Sequence, residues 1–173
     1  MKLLGKSFSE QEQIQISFMR KDPLFEKLTD REISYFLPFL HERTYQRDEV
    51  VFFRDDPSQA LYMVKSGMIS LSIDIKNEFE KLMTLRAGHA FGDNALLKGA
   101  RRIYTAIVTT ESATLYLIPQ INLLEIMDDH KKVRSKMMTA FAETYNEYTT
   151  NLFKAYQNNL GFFDLHQVYG SME

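Results

Sequence analysis

The sequence contains no cysteine. Disulfide bridges, thiolate metal centres and cysteine nucleophiles are thereby excluded together, which fits a reducing compartment. It also lacks an excess of charge of either sign. Twenty-one Lys and Arg stand against 23 Asp and Glu, for a net charge of -2 and a pI near 6.1. No global positive field is therefore available to draw in nucleic acid or an acidic membrane, although a local basic spot stays open. No apolar run approaches the roughly 18 residues of a membrane span. The opening MKLLGKSFSEQEQ turns polar after two leucines, unlike a signal peptide. The chain is expected to be soluble and cytoplasmic, with neither nucleic acid nor membrane as partner.

What is present is enough for one core. A chain of 173 residues, 45% hydrophobic and 25% charged, suits a single globular module with some additional helix. Hydrophobic periodicity changes twice along it. Residues 1–40 read as helices. Ser9 caps a helix with Glu12 three residues on, and Thr29 and Glu32 repeat that capping grammar ahead of Ile33, Phe36, Leu37 and Leu40. Residues 41–118 read as short strands, with Asp55-Asp56-Pro57-Ser58, Ser66-Gly67, Ala87-Gly88 and Lys98-Gly99 as turns. Leu61, Met63, Ile69, Leu71, Ile73 and Ile75 alternate with more polar neighbours. Stretches 82–85, 106–108 and 115–118 are further strands, making at least seven and suggesting a sandwich, a jelly roll or a small barrel. Four of the seven glycines fall in this region, where turns are tight.

Residues 119–173 return to helix. Pro119 suits a first helical turn, with Leu123, Leu124 and Met127 along one side. From Lys131 to about Leu160 no glycine or proline interrupts, and Met138, Phe141, Tyr145, Tyr148, Leu152 and Ala155 recur at alternating steps of three and four. That spacing is a heptad seam, and it predicts self-association through Met138, Phe141, Tyr145, Tyr148 and Leu152. The plainer alternative is that the helix packs on its own domain. Beyond it, Phe162-Phe163-Asp164-Leu165 is apolar enough to fold back as a lid or dock in a dimer.

With helices, short strands, a hinge-like helix and a long helix in this order, the chain resembles the cyclic-nucleotide-binding domain family, in the manner of a catabolite activator effector domain. PLFEKLTDREISYFLPFL looks like the family's first helix, and YQRDEVVFFRDDPSQALYMVKSGMISLSI like its following strands. The resemblance covers roughly residues 22–155. It implies a mainly β fold with flanking helices: a double-stranded β-helix, or jelly-roll, barrel followed by a hinge helix and a long C-terminal helix.

AFGDNALLKGARRIYTA falls where that family keeps its phosphate-binding cassette. The cassette places are held by Phe91, Gly92, Asp93, Asn94, Ala95, Gly99, Arg101, Arg102 and Ile103. Glycine lets the backbone approach a phosphate, a short helical turn offers N–H groups to an anion, and Arg supplies a fixed fork of donors. The resemblance implies that the acid accepts from a ribose 2′-hydroxyl, with cAMP or cGMP as ligand and no further cofactor. Four places depart from the pattern. Asp93 replaces Glu, shortening its reach by roughly 1.5 Å; Asn94 replaces an apolar residue; Arg101 replaces proline; and Ile103 fills a normally small position. Counted back from Leu115–Pro119, the stretch to Arg102 is also one residue longer than the family's. One added residue reverses strand side chains unless a bulge absorbs it. From the Phe-Gly side Arg102 is the phosphate residue, with Arg101 in reserve.

Nothing in the sequence points to catalysis. His41, His89, His130 and His166 share no metal-ligand spacing, and no serine or threonine sits in a hydrolase-type glycine elbow. Family members that read DNA carry a helix-turn-helix after the long helix, whereas here 13 residues follow Leu160, apolar and acidic rather than basic. Two readings result. One is a free-standing regulatory module that binds cyclic nucleotide and repositions its C-terminal helix. The other is a ligand-free interaction or dimerisation module on the same fold, with a second copy or an unknown protein as partner.

Overall fold

The computed structural model describes residues 7–75 and 78–159, so the Phe162-to-Leu165 segment lies outside it. Among the described residues three short helices come first, α1 (Glu10–Met19), α2 (Pro23–Glu26) and α3 (Asp30–Ser34), followed by a 3-10 turn at Leu37–Phe39. Both expected capping boxes form. Ser9 and Glu12 bond reciprocally at the start of α1, as do Thr29 and Glu32 at α3. The stretch 23–40 is broken into three pieces rather than continuous. Asp22 caps α2 with Pro23 in its first turn, and the Thr29 cap interrupts what periodicity alone joins.

Eight strands follow: β1 (His41–Gln46), β2 (Val50–Phe52), β3 (Ala60–Ser66), β4 (Ile69–Ile75), β5 (Glu78–Leu85), β6 (Ala90–Phe91), β7 (Thr105–Val108) and β8 (Ser112–Pro119). They form two four-stranded antiparallel sheets in the orders β1-β8-β3-β6 and β2-β7-β4-β5. Pro119 ends β8 and caps α4 (Gln120–Asp129) instead of entering its first turn, and α5 (Lys131–Asn159) runs for 29 residues.

Alternation along the central strands divides the core in two. Leu61 and Met63 of β3, with Tyr116 and Ile118 of β8, face the helices and pack with Phe25, Phe36, Leu123 and Met137. Val64 of β3, with Ala113 and Leu115 of β8, faces the other sheet and packs with Phe52, Ile69, Phe91 and Val108. Each such fully buried aliphatic or aromatic side chain contributes about 1.5–3 kcal/mol. The α5 face on this core is Val133, Met137, Ala140 and Phe141, at steps of four, three and one. Of the heptad-seam residues, Phe141 is buried and Met138 and Tyr145 pack partly on this core, while Tyr148 and Leu152 are exposed. The chain's own core thus takes up the first half of the seam, because α5 begins against α2 and α4 and only then runs outward.

Candidate functional site

The cassette begins where β6 ends. Gly92 adopts a left-handed φ of 68°, and a 3-10 turn runs over Asp93–Leu96. Glycine is needed there twice over: for that backbone, and because a Cβ would overlap the Arg102 Nη1. The Gly92 N–H donates to Tyr104 Oη at 2.8 Å, and the Gly92 carbonyl accepts from the Ala95 N–H at 3.0 Å. Gly99 also has positive φ, at the outer bend of the loop.

Arg102 is directed inward. It is 2% exposed, and its guanidinium donates to the carbonyls of Gly92 (2.9 Å) and Ala60 (2.6 Å) and to Asn94 Oδ1 (3.3 Å). It stacks 4.1 Å from the Phe52 ring centroid, and burial holds its pKa below the usual guanidinium value. Its Nε is buried without a hydrogen-bond partner among the described residues. Arg102 therefore closes the cassette from behind, joining β6, the 3-10 turn and the start of β3. Asn94 supports it: Oδ1 accepts from Ser58 Oγ at 2.9 Å, and Nδ2 donates to the Arg101 carbonyl. Arg101 is exposed and donates to the Asp55 carbonyl. Ile103, 56% exposed, faces the opposite way from Arg102 and lines a cavity.

That cavity, about 420 Å³, lies between β4 and β5, the cassette and the outer half of α5. Leu71, Leu85 and Phe91 form its floor, and Tyr145, Tyr148 and Leu152 its helical wall. Asp93 is its one charged lining residue among the described residues. Tyr145 Oη donates to Asp93 Oδ1 at 3.3 Å, so α5 reaches the acid directly. Burial raises the Asp93 pKa against the opposing pull of its own backbone N–H and the Tyr145 hydroxyl, and burial followed by the Asp93 charge pushes Tyr145 far up. A smaller cavity of about 110 Å³ adjoins, lined by Asp22, His89, Asp93 and Tyr148. Asp22, 6% exposed, accepts from the N–H groups of Leu24 (3.0 Å) and Ala90 (2.6 Å), and burial raises its pKa as well.

The structure brings Phe91, Asp93 and Ile103 to the cavity, places Gly92, Asn94, Ala95 and Arg102 in its support, and leaves Gly99 and Arg101 on the outer loop. Four contributors carry no site signal in the sequence. The heptad spacing assigns Tyr145 to the seam instead. Tyr104 and Asp22 act through contacts 12 and 68 residues away. Gln120, the first residue of α4, donates to the carbonyls of Ala95 (2.9 Å) and Leu97 (3.1 Å), tying the cassette to the hinge. Among the described residues no cluster of His, Asp and Glu could hold a metal ion, and no helix is long and apolar enough to cross a membrane.

The chain is similar to a cyclic AMP receptor protein of Thermus thermophilus, 30% identical over 100 residues, covering 57% of this chain and 46% of that protein. It is similar also to a cAMP-dependent protein kinase regulatory subunit of Blastocladiella emersonii, 25% identical over 142 residues, covering 82% and 35%. The chain spans between 20% and 46% of the length of the curated relatives it matches. Its fold is that of the regulatory domain of Toxoplasma gondii PKA crystallised with cAMP, at a TM-score of 0.65 and 24% identity over 75% of this chain and 50% of that one. The family model for the cyclic nucleotide-binding domain matches residues 42–130, from β1 through the cassette to the end of α4, and the chain belongs to that family.

Proposed function

We propose that this chain is a non-catalytic regulatory module that binds cAMP or cGMP in the cavity between the cassette and α5 and reports occupancy by repositioning that helix. The observation that carries the reading is the Tyr145–Asp93 hydrogen bond. It places the long helix on the acid that matches the family's ribose contact. A ribose hydroxyl that takes Asp93 displaces Tyr145, and cyclic phosphate drawn to the cassette pulls on Gln120 through the Ala95 and Leu97 carbonyls. Both events bias α4 and α5 together, which is the differential interaction a population shift requires. Arg102 reaches the phosphate in this reading by leaving its inward contacts, and its unpartnered Nε favours that exchange. The module works in the cytoplasm and delivers its output to a protein partner.

Titration calorimetry with both nucleotides tests the reading. Binding is expected, weakened at least about ten-fold in Arg102→Ala. Tyr145→Phe, which leaves Asp93 free, is expected to tighten it. No heat and no thermal shift with millimolar-scale ligand refutes it.

One observation favours a second reading, a ligand-free interaction module: the inward Arg102 fork is already occupied by carbonyls. In that case Tyr148 and Leu152, 50% and 67% exposed, meet a second copy or another protein. Sedimentation then shows a dimer that Tyr148→Glu breaks, and an unaltered oligomer rules the seam out.

A further inference from the structure

We infer that, while Arg102 is turned inward, the 420 Å³ cavity is a binding site for an uncharged, largely apolar molecule carrying one hydrogen-bond donor. The inference rests on the cavity being the ligand site, as proposed above, but not on a nucleotide entering it.

Volume and lining set the class. The cavity lies within the roughly 300–1,000 Å³ of small-molecule sites. Apart from Asp93 and Asn151 its walls are aliphatic and aromatic, and among the described residues no lysine or arginine lines it. The rim is apolar and open: Leu82, Ile103 and Leu152 are 52%, 56% and 67% exposed. An apolar occupant withdraws that surface from water, which is its source of affinity.

Charge then decides sign. Among the described residues Asp93 is the only charged side chain in the lining, and Asp22 lies across the adjoining space. An anion entering here meets a carboxyl group and no counter-charge, since the Arg102 fork lies behind the cassette on the Gly92 and Ala60 carbonyls. The hydrogen-bonding need is also specific. Asp93 accepts from Tyr145 at a long 3.3 Å, and a carboxylate has room for about four donors, so one donor from a ligand fits. The Tyr104 hydroxyl already accepts from Gly92. A neutral apolar ligand thus requires no movement of Arg102, whereas a phosphate does. The two classes bind opposite positions of one side chain and exclude each other.

N-phenyl-1-naphthylamine, neutral and bearing a single N–H, and its sulfonated counterpart 8-anilinonaphthalene-1-sulfonate test this with one aromatic skeleton. The neutral probe is expected to bind the full chain saturably and at least about ten-fold more tightly than the sulfonate. Leu152→Glu and Ile103→Arg change exposed side chains and leave the fold intact, as their melting temperatures will report. The first is expected to weaken the neutral probe about ten-fold, and the second to shift preference toward the sulfonate by a similar factor. Equal or tighter sulfonate binding to the unaltered chain overturns the inference, as does indifference of the neutral probe to both substitutions. Calorimetry with cAMP and cGMP separates the two proposals. Neutral-probe binding without nucleotide heat sinks the nucleotide reading alone, and nucleotide heat without neutral-probe binding sinks this one alone.

Discussion

Replacing Arg102 with alanine in the absence of any ligand separates a structural arginine from one held in reserve for solvent or phosphate. Arg102 is 2% exposed, donates to two carbonyls and one amide oxygen, and covers the face of Phe52. Hydrogen bonds from a charged group are worth roughly 1.5–3 kcal/mol each, and truncating a large buried side chain costs about 2–5 kcal/mol. Against this, the substitution lifts the desolvation cost that depresses the Arg102 pKa, and it removes a buried Nε that has no partner. The net expectation is a loss of about 3 kcal/mol. For a chain of this size 1 kcal/mol moves Tm by about 2–4 °C, so the ligand-free midpoint falls by roughly 6–12 °C. Arg102→Met keeps the bulk over Phe52 and is expected to lose about half as much. Circular dichroism melting without nucleotide is the assay. A ligand-free Tm within about 2 °C of the unaltered chain refutes the inward placement, because an arginine that merely waits in solvent costs no more than about 0.5 kcal/mol to remove.

Three further outcomes are expected. Gly92→Ala introduces a side chain at a left-handed φ and into the Arg102 guanidinium, and is expected to cost about 1–3 kcal/mol in ligand-free melting; an unchanged Tm rules the close approach out. Burial raises the Asp93 pKa, so the folded state holds that proton more tightly than the unfolded chain does. The corresponding stability is complete below the unfolded value near 3.8 and is lost as pH rises through the folded value. Asp93→Asn is therefore expected to gain stability relative to the unaltered chain as pH climbs from acid to neutral, and a pH-independent difference in melting counts against the buried carboxyl. Thr29→Ala removes the capping box of α3 and is expected to cost about 1 kcal/mol in urea unfolding, against no more than a few tenths if the cap contributes nothing.

The legible parts of the fold are those where local chemistry and tertiary demand agree. Ser9–Glu12 and Thr29–Glu32 announce helix starts through atoms three residues apart, and both boxes form. Strand alternation at Leu61 and Met63 or at Ile69 and Leu71 needs only a two-sided environment, which two packed sheets provide. α5 is less legible because it has apolar residues on more than one face. The aromatic spacing of Phe141, Tyr145 and Tyr148 outweighs Val133, Met137 and Ala140 to the eye, although the smaller residues meet the core. Tyr145 illustrates the limit: its hydroxyl meets Asp93 across 52 residues, and no periodicity records a hydrogen bond of that span. Asp22 before Pro23 is a readable helix cap, but the bond from the Ala90 N–H to its second oxygen is equally remote.

Arg102 shows that a motif sets the order of residue types without setting the direction of a side chain. The resemblance matches Gly92, Asp93 and Arg102 to the cassette by residue type and order alone. Direction depends on how many residues separate Arg102 from the first paired residue of β7, Thr105. With Ile103 and Tyr104 between them, Ile103 turns to the cavity mouth and Tyr104 reaches Gly92, while Arg102 turns to the Gly92 and Ala60 carbonyls. A bulge can reverse that outcome at a modest backbone cost, of the order of the 1–3 kcal/mol that a strained residue stores. The inward contacts of Arg102 are worth about as much as the truncation above removes, roughly 3 kcal/mol. A phosphate must therefore out-compete two carbonyls, an amide and an aromatic face by about that amount before the guanidinium changes sides, which lowers apparent nucleotide affinity by roughly two orders of magnitude relative to a cassette whose arginine already faces the cavity.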